Sequence, residues 1–446
     1  MTQTKLSFDV HPSVIFQLGA DLISDDVQAL IELIKNSYDA NATYAHVQVD
    51  TQDSPATLFP ESLYPQAHGF IKITDDGDGM NLDSIRNGWF VVSNSVKRQL
   101  KQSGASATLK RTPLGDKGLG RLGSQRLAMN VELVSVSSDD KSEQHVGFSW
   151  ADFNNATRLT NVPIQGPIER KATRRSGTTL MLSELVDPQR WQGPEAKKLL
   201  EEQLAELVSP FEGISAFELF ITVDGVKLDL AKVAKRLRQQ ADTTFSLAFD
   251  GTKMTMQGRA KLRQLEPSDK TRKAIFEEEV RANNGTQLLV KLQSRAEEYP
   301  FSVASSPSAA WFTVFRQAVA LEDLNKVALD AELHPVSPGP FRAELDSFDL
   351  SRTPDLAAFA SIKEFRAIVK TLAGVRVYRD GFGVRVDRDF LKLSKAWTGG
   401  SSWYGLKPAN TIGYIAISAR DNADLVETTD REGFRKTPHF VNFEAL

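Results

Sequence analysis

"ALIELIKNSYDANAT", residues 29–43, carries two patterns that conflict. Leu30, Ile31, Leu33 and Ile34 recur at the i, i+3, i+4 spacing that lines the apolar face of a helix. Glu32 interrupts that run, Asn36 follows one turn later and Asp39 three residues after it. Three polar side chains therefore descend one stripe of a helix otherwise fit for burial. A carboxylate in an apolar setting gains affinity for a proton, which suits a general base that takes one from water. An Asn one turn on offers a neutral oxygen to a hard cation, and magnesium uses few protein oxygens beside phosphate and water. The alternative is a partly exposed helix whose Glu and Asp face solvent.

Two further motifs follow. After the apolar run "FIKIT" comes Asp75-Asp76-Gly77-Asp78-Gly79-Met80, where small residues let another group approach the backbone. Asp75 at the strand end can accept a hydrogen bond from an exocyclic amine such as that of adenine, and Met80 offers polarizable surface to a ring. A calcium loop of the EF-hand type would need a Glu at its end, which "NLDSIRNG" does not supply. The third motif is Gly115-Asp116-Lys117-Gly118-Leu119-Gly120-Arg121-Leu122-Gly123. Backbone amides of such a loop form an anion site, to which Lys117 and Arg121 add charge. The run from Gly118 to Gly123 formally matches G-x-G-x-x-G, but no apolar strand leads into it and no kinase H-R-D or D-F-G motif follows.

The rest of the chain bounds these readings. At 446 residues, 41% hydrophobic and 25% charged, it has the composition of a globular protein with room for two or three cores. A formal charge of -3 argues against a surface coated in basic residues for non-specific nucleic-acid binding. The absence of cysteine removes disulfides, thiolate nucleophiles and cysteine metal sites, and six histidines show no ligand-like spacing. The N-terminus "MTQTKLSFDVHP" lacks a secretory pattern and no apolar run reaches the length of a membrane span, so the expected location is cytoplasmic.

Periodicity predicts helices at "PSVIFQLGADL" and over 25–40, then strands at "TYAHVQVD", "GFIKITDD", "VELVSVSS", "HVGFSW" and "GTTLMLSEL". A polar stretch around 88–118 reads as a mobile lid, and its Lys97, Arg98, Lys101, Lys110 and Arg111 as solvated charge. The charged helix "PEAKKLLEEQLAELVSP" joins a first domain, 1–195, to a second, 205–446, in which 231–340 is an unassigned insertion. Beyond it, "GVRVYRDGFGVRVD" reads as a hairpin turning at Asp380-Gly381, "TIGYIAIS" as a strand and "TTDREGF" as the capped start of a helix.

In this order the motifs resemble the Bergerat fold of the GHKL ATPases: gyrase B-type topoisomerases, 90-kDa heat-shock chaperones, histidine kinases, MutL and MORC proteins. "ELIKNSYDA" is similar to the first box, "DDGDGM" to the adenine box, "GDKGLG" to the lid glycines and "SGTTLML" to the final strand. The resemblance implies an α+β chain: a Bergerat α/β sandwich followed by an S5-like transducer α/β domain. It implies ATP and Mg2+ as ligands, with Asn36, Asp39, Ala40, Asp75, Gly77, Gly79, Met80, Gly115, Lys117, Gly118, Leu119, Gly120 and Thr178 around the nucleotide. By the same likeness Glu32 activates water, Asn36 ligates magnesium, and Thr178 supports Asp75 through a water. Arg431, in "ETTDREGF", resembles the transducer residue that reaches the γ-phosphate, where relatives usually place Lys; Arg379 and Arg385 are rivals for that role. The implied function is an ATP-hydrolysing switch or clamp that closes a lid and forms a homodimer with ATP, DNA or a protein partner being left open. The competing function is a chaperone-like scaffold that uses ATP as a conformational ligand. A histidine kinase is disfavoured, because the first box begins too near the N-terminus for a phosphoacceptor helix pair.

Overall fold

The computed structural model describes residues 10–22, 25–91, 120–139, 142–173, 175–209, 217–228, 237–238, 240–261, 269–283, 301–305, 311–350, 361–384, 386, 389–398, 406–428 and 433–446. The chain divides into two compact units, Met1–Ala205 with Ser215–Leu230 and Glu206–Ile214 with Ala231–Leu446.

The first unit opens with helices α1 (Ser13–Leu22) and α2 (Asp26–Asp39). Asp25, extended, caps α2 by accepting a hydrogen bond from the Gln28 amide at 2.8 Å, which satisfies one of the first-turn donors. Val27, Leu30, Ile31, Leu33, Ile34 and Tyr38 are buried. Eight strands form one sheet: β1 (Tyr44–Asp50), β2 (Phe70–Asp75), β3 (Ala128–Val136), β4 (Ser142–Ser149), β5 (Gln165–Lys171), β6 (Gly177–Leu185), β7 (Glu218–Val223) and β8 (Val226–Leu228). Their order is β5-β4-β3-β6-β2-β1-β7-β8, antiparallel except for β1 with β7. Ala45, Val47 and Val49 are buried on the face that carries Asp75, since Ala45 pairs with Asp75 across the ladder. That face receives α2, whose Ser37 bonds to Asp75.

On the opposite face, Glu132 of β3 and His145 of β4 form a buried pair at 2.8 Å. Ser62 Oγ donates to the same Glu132 at 2.6 Å and the Leu63 amide at 2.9 Å, which pins the segment after β1 to the back of the sheet. A buried carboxylate is tolerated only with such a set of partners.

The second unit holds β9 (Thr243–Phe249), β10 (Lys253–Lys261), β11 (Phe301–Ser305), β12 (Trp311–Ala320), β13 (Phe341–Ser347), β14 (Gly374–Arg379), β15 (Phe382–Val384) and β16 (Thr411–Ile417), in the order β11-β12-β10-β9-β13-β16-β14-β15. Only β14 with β16 is parallel. Successive residues serve different cores. Val377 packs with Phe249, Phe341, Ile415 and the Phe440 and Phe443 of the last helix, Pro438–Ala445, while Tyr378 packs with Phe365 and Val369 of the helix Ile362–Leu372. Helices thus cover both faces. The tight turn between β14 and β15 is made as expected, with Asp380 and Gly381 at φ +51° and +88°.

Two expectations change. The division at 195–205 is displaced, because β7 and β8 return to the first sheet: Ile221 and Val223 are buried, and β7 fills the free edge of β1. The segment 231–340 is no insertion, since β9, β10, β11 and β12 within it are half of the second sheet. Of "TTDREGF", residues 429–432 lie outside the described residues; of those flanking them, Glu427 bridges Phe434, the Thr428 amide donates to the Gly433 carbonyl at 3.0 Å, and the next described helix begins at Pro438, capped by Thr437.

Candidate functional site

Asp75 ends β2 with its carboxylate buried and accepting three hydrogen bonds: from Ser37 Oγ at 2.8 Å, the Gly77 amide at 3.0 Å and the Thr178 amide at 3.2 Å. A carboxylate accepts about four, so capacity for one more donor remains. Burial pushes its pKa up; the bonds from Gly77, Ser37 and Thr178 pull the other way, and the charge of Asp76 adds to the rise. Thr178 supports Asp75 directly through its amide, where the resemblance implied a bridging water, while its hydroxyl lies 2.9 Å from Ser135 Oγ. Ser135 in turn accepts from the Met80 amide at 2.8 Å.

The glycines of this loop are there for room. A Cβ on Gly79, which sits at φ +67°, would fall 1.8 Å from the Val136 carbonyl oxygen, and one on Gly77 would fall 2.6 Å from that of Ala40. Ala40, at the end of α2, accepts from the Asp78 amide at 2.8 Å, so the first box and the acidic loop are joined backbone to backbone. Asp76 bonds instead to the residues that lead into β1. It accepts from the Thr43 amide, the Thr43 hydroxyl and the Tyr44 amide at 2.7, 2.5 and 3.2 Å, and these bonds outweigh desolvation and hold its pKa down.

Along α2 the expected stripe is graded. Asp39 is buried, Glu32 half-buried and Asn36 exposed. Glu32 Oε1 receives Gln28 Nε2 at 3.0 Å and Lys35 Nζ at 3.2 Å, so its charge is held by neighbours on its own helix. Among the described residues no group of three or more His, Cys, Asp or Glu could hold a metal alone.

Of the third motif, Gly115, Asp116, Lys117, Gly118 and Leu119 lie outside the described residues, as do Lys97, Arg98, Lys101, Lys110, Arg111, Arg385 and Arg431. Gly120 opens a short 3-10 turn, Gly120–Gly123. Arg121 does not point its charge freely at an anion: its guanidinium donates to the carbonyls of Gly88 and, at 2.7 Å, Val91. Arg379 is likewise committed. It donates to the carbonyls of Asn422 and Leu425, lies 2.9 Å from Glu427 and sits over the Phe434 ring. Sequence reasoning gave no role to Ser37, which stood unremarked in the first box, or to Ser135, which stands in a strand with no motif around it.

Among the described residues no helix is long and apolar enough to cross a membrane. A search of curated proteins gives no match. Residues 24–178 match the family model described as histidine kinase-, DNA gyrase B-, and HSP90-like ATPase, a span running from the cap of α2 to the Thr178 amide on Asp75. Residues 24–178 are therefore an ATP-binding domain of the GHKL superfamily.

Proposed function

We propose that the chain is an ATP-hydrolysing switch, in which adenine is read by Asp75 and magnesium is held by Asn36. ATP closes a lid within 88–118 and joins two copies through their first units. The observation that carries this reading is Asp75: a buried carboxylate with three donors in place and capacity for one more, in a pocket whose glycines admit no side chain. Glu32 is assigned the water-activating role. The second unit, a mixed sheet with helices on both faces, takes the transducer role and Arg431 the γ-phosphate. The test is titration of the native chain with a non-hydrolysable ATP analogue and magnesium by calorimetry, with particle mass measured in parallel. Saturable binding with a doubled mass supports the switch, and no binding removes it.

One observation favours the second reading, a nucleotide that acts as a conformational ligand. The Glu32 carboxylate is already engaged by Gln28 Nε2 at 3.0 Å and Lys35 Nζ at 3.2 Å, which compete with a water for it. Phosphate release in the native chain and in Glu32→Gln separates the two: a fall of ~10²-fold or more with binding intact supports hydrolysis by Glu32. Equal rates favour the conformational ligand.

A further inference from the structure

Arg121 is a partly buried cation whose described side-chain contacts are two backbone carbonyls and an aromatic ring. Its guanidinium reaches back 33 residues to the Gly88 carbonyl and 30 to that of Val91, and lies 6.0 Å from the centre of the Trp89 ring. Gly88 and Trp89 belong to a single π-helical turn, Ile85–Trp89, and Arg121 to the turn Gly120–Gly123. The Ser124 hydroxyl donates to the Arg121 carbonyl at 2.8 Å, fixing the backbone from which the side chain reaches. Burial lowers the Arg121 pKa to about 10, so the charge is kept at a cost that the two carbonyls and the ring only partly offset.

We propose that Arg121 is a positioning residue, a staple that locks the turn Ile85–Trp89 to the turn Gly120–Gly123, which packs against α2, and so holds the two flanks of the connection 92–119 at one place. The role in binding rests on the nucleotide reading above; the staple itself does not. Only a planar fork serves both carbonyls and the ring at once, which a single ammonium does not. Holding the two ends together removes from each binding event the entropy of bringing them into register.

The experiment uses the full chain with Arg121→Lys and Arg121→Ala. In the absence of nucleotide, hydrogen exchange at the amides of 85–91 and 120–127 should speed up at least tenfold in both variants, and Trp89 emission, isolated by difference against Trp89→Phe, should shift in both. Unchanged exchange and emission would overturn the staple. With the non-hydrolysable analogue and magnesium, the dissociation constant should rise about tenfold in both, and KM should rise by more than kcat falls. Full rescue by Lys would show that charge alone matters and would overturn the proposal. Should Ala fail to fold, the Lys variant decides by the same readings. If the native chain binds no nucleotide, the function reading fails while the exchange and emission results still judge the staple.

Discussion

Replacing Asp75 with Asn changes one atom and separates binding from folding. The amide keeps an oxygen where Oδ1 accepts from Gly77 and Thr178, and Ser37, whose hydroxyl can rotate, turns from donor to acceptor toward the new NH2. No buried group is orphaned. What is lost is a charged acceptor for the incoming amine, a hydrogen bond worth ~1.5 to 3 kcal/mol, equivalent to about a 10- to 150-fold weaker dissociation constant. Stability should move the other way. The folded carboxyl has its pKa raised above 3.8 by burial, so its contribution is fully present below the unfolded pKa and is lost as pH rises through the folded one. At pH 7 the native chain bears the cost of an ionised buried carboxylate, which Asn removes. Calorimetry with the ATP analogue and urea unfolding at pH 7 are the two assays. Weaker binding with undiminished stability is the expected pair. Native-like affinity in a folded Asn variant would refute the adenine assignment, and a parallel loss of both would show that Asp75 is a structural carboxylate.

Three further outcomes follow from the same geometry. Asp346 in β13 has its pKa raised to about 6, burial outweighing the pull of Arg238 3.0 Å away, so stability should fall as pH rises from about 4 to about 6. Asp346→Asn should flatten that step in urea unfolding across the window, and an identical slope would place the titration elsewhere. Gly79→Ala must drive a Cβ against the Val136 carbonyl at positive φ, costing ~1 kcal/mol for the backbone alone and more for the overlap; it should abolish analogue binding, and retained affinity would mean the loop is not pocket wall. His145→Ala strips a partner from the fully buried Glu132 and should cost ~3 to 5 kcal/mol in urea unfolding, whereas a loss under 1 kcal/mol would show that Ser62 and Leu63 suffice.

What was legible in the chain was what short-range pattern encodes. Glu32, Asp75 and the glycines after it stand out because they interrupt or end apolar runs, and of these the structure surrounds Asp75 with three donors. Ser37 carries no such signal: its partner lies 38 residues away, and a serine in a helix looks ordinary. The direct bond from Thr178 to Asp75 spans 103 residues and depends on the register of β2 against β6. The unassigned strands were hidden for another reason. In β10 the inward positions are Met254, Met256, Gly258 and Ala260, weakly apolar residues whose alternation with Lys253, Thr255, Gln257 and Arg259 reads as noise until a second strand lies against it.

The return of β7 and β8 to the first sheet bears on how the molecule is born. Synthesis runs from the N-terminal side, and by residue 185 the ribosome has made β1 to β6 of that sheet. Yet β1 keeps an open edge until β7 emerges, after the helix Gly193–Leu207 and after the first stretch of the second unit, Glu206–Ile214. The edge exposes unpaired amides and carbonyls to any neighbouring nascent chain. Completion of the nucleotide-binding unit therefore waits on some forty further residues, about 2 to 8 seconds at ordinary elongation rates of 5–20 residues per second. A gene fragment cut at 195 would make that unfinished edge permanent, whereas one cut at 230 would let the sheet close.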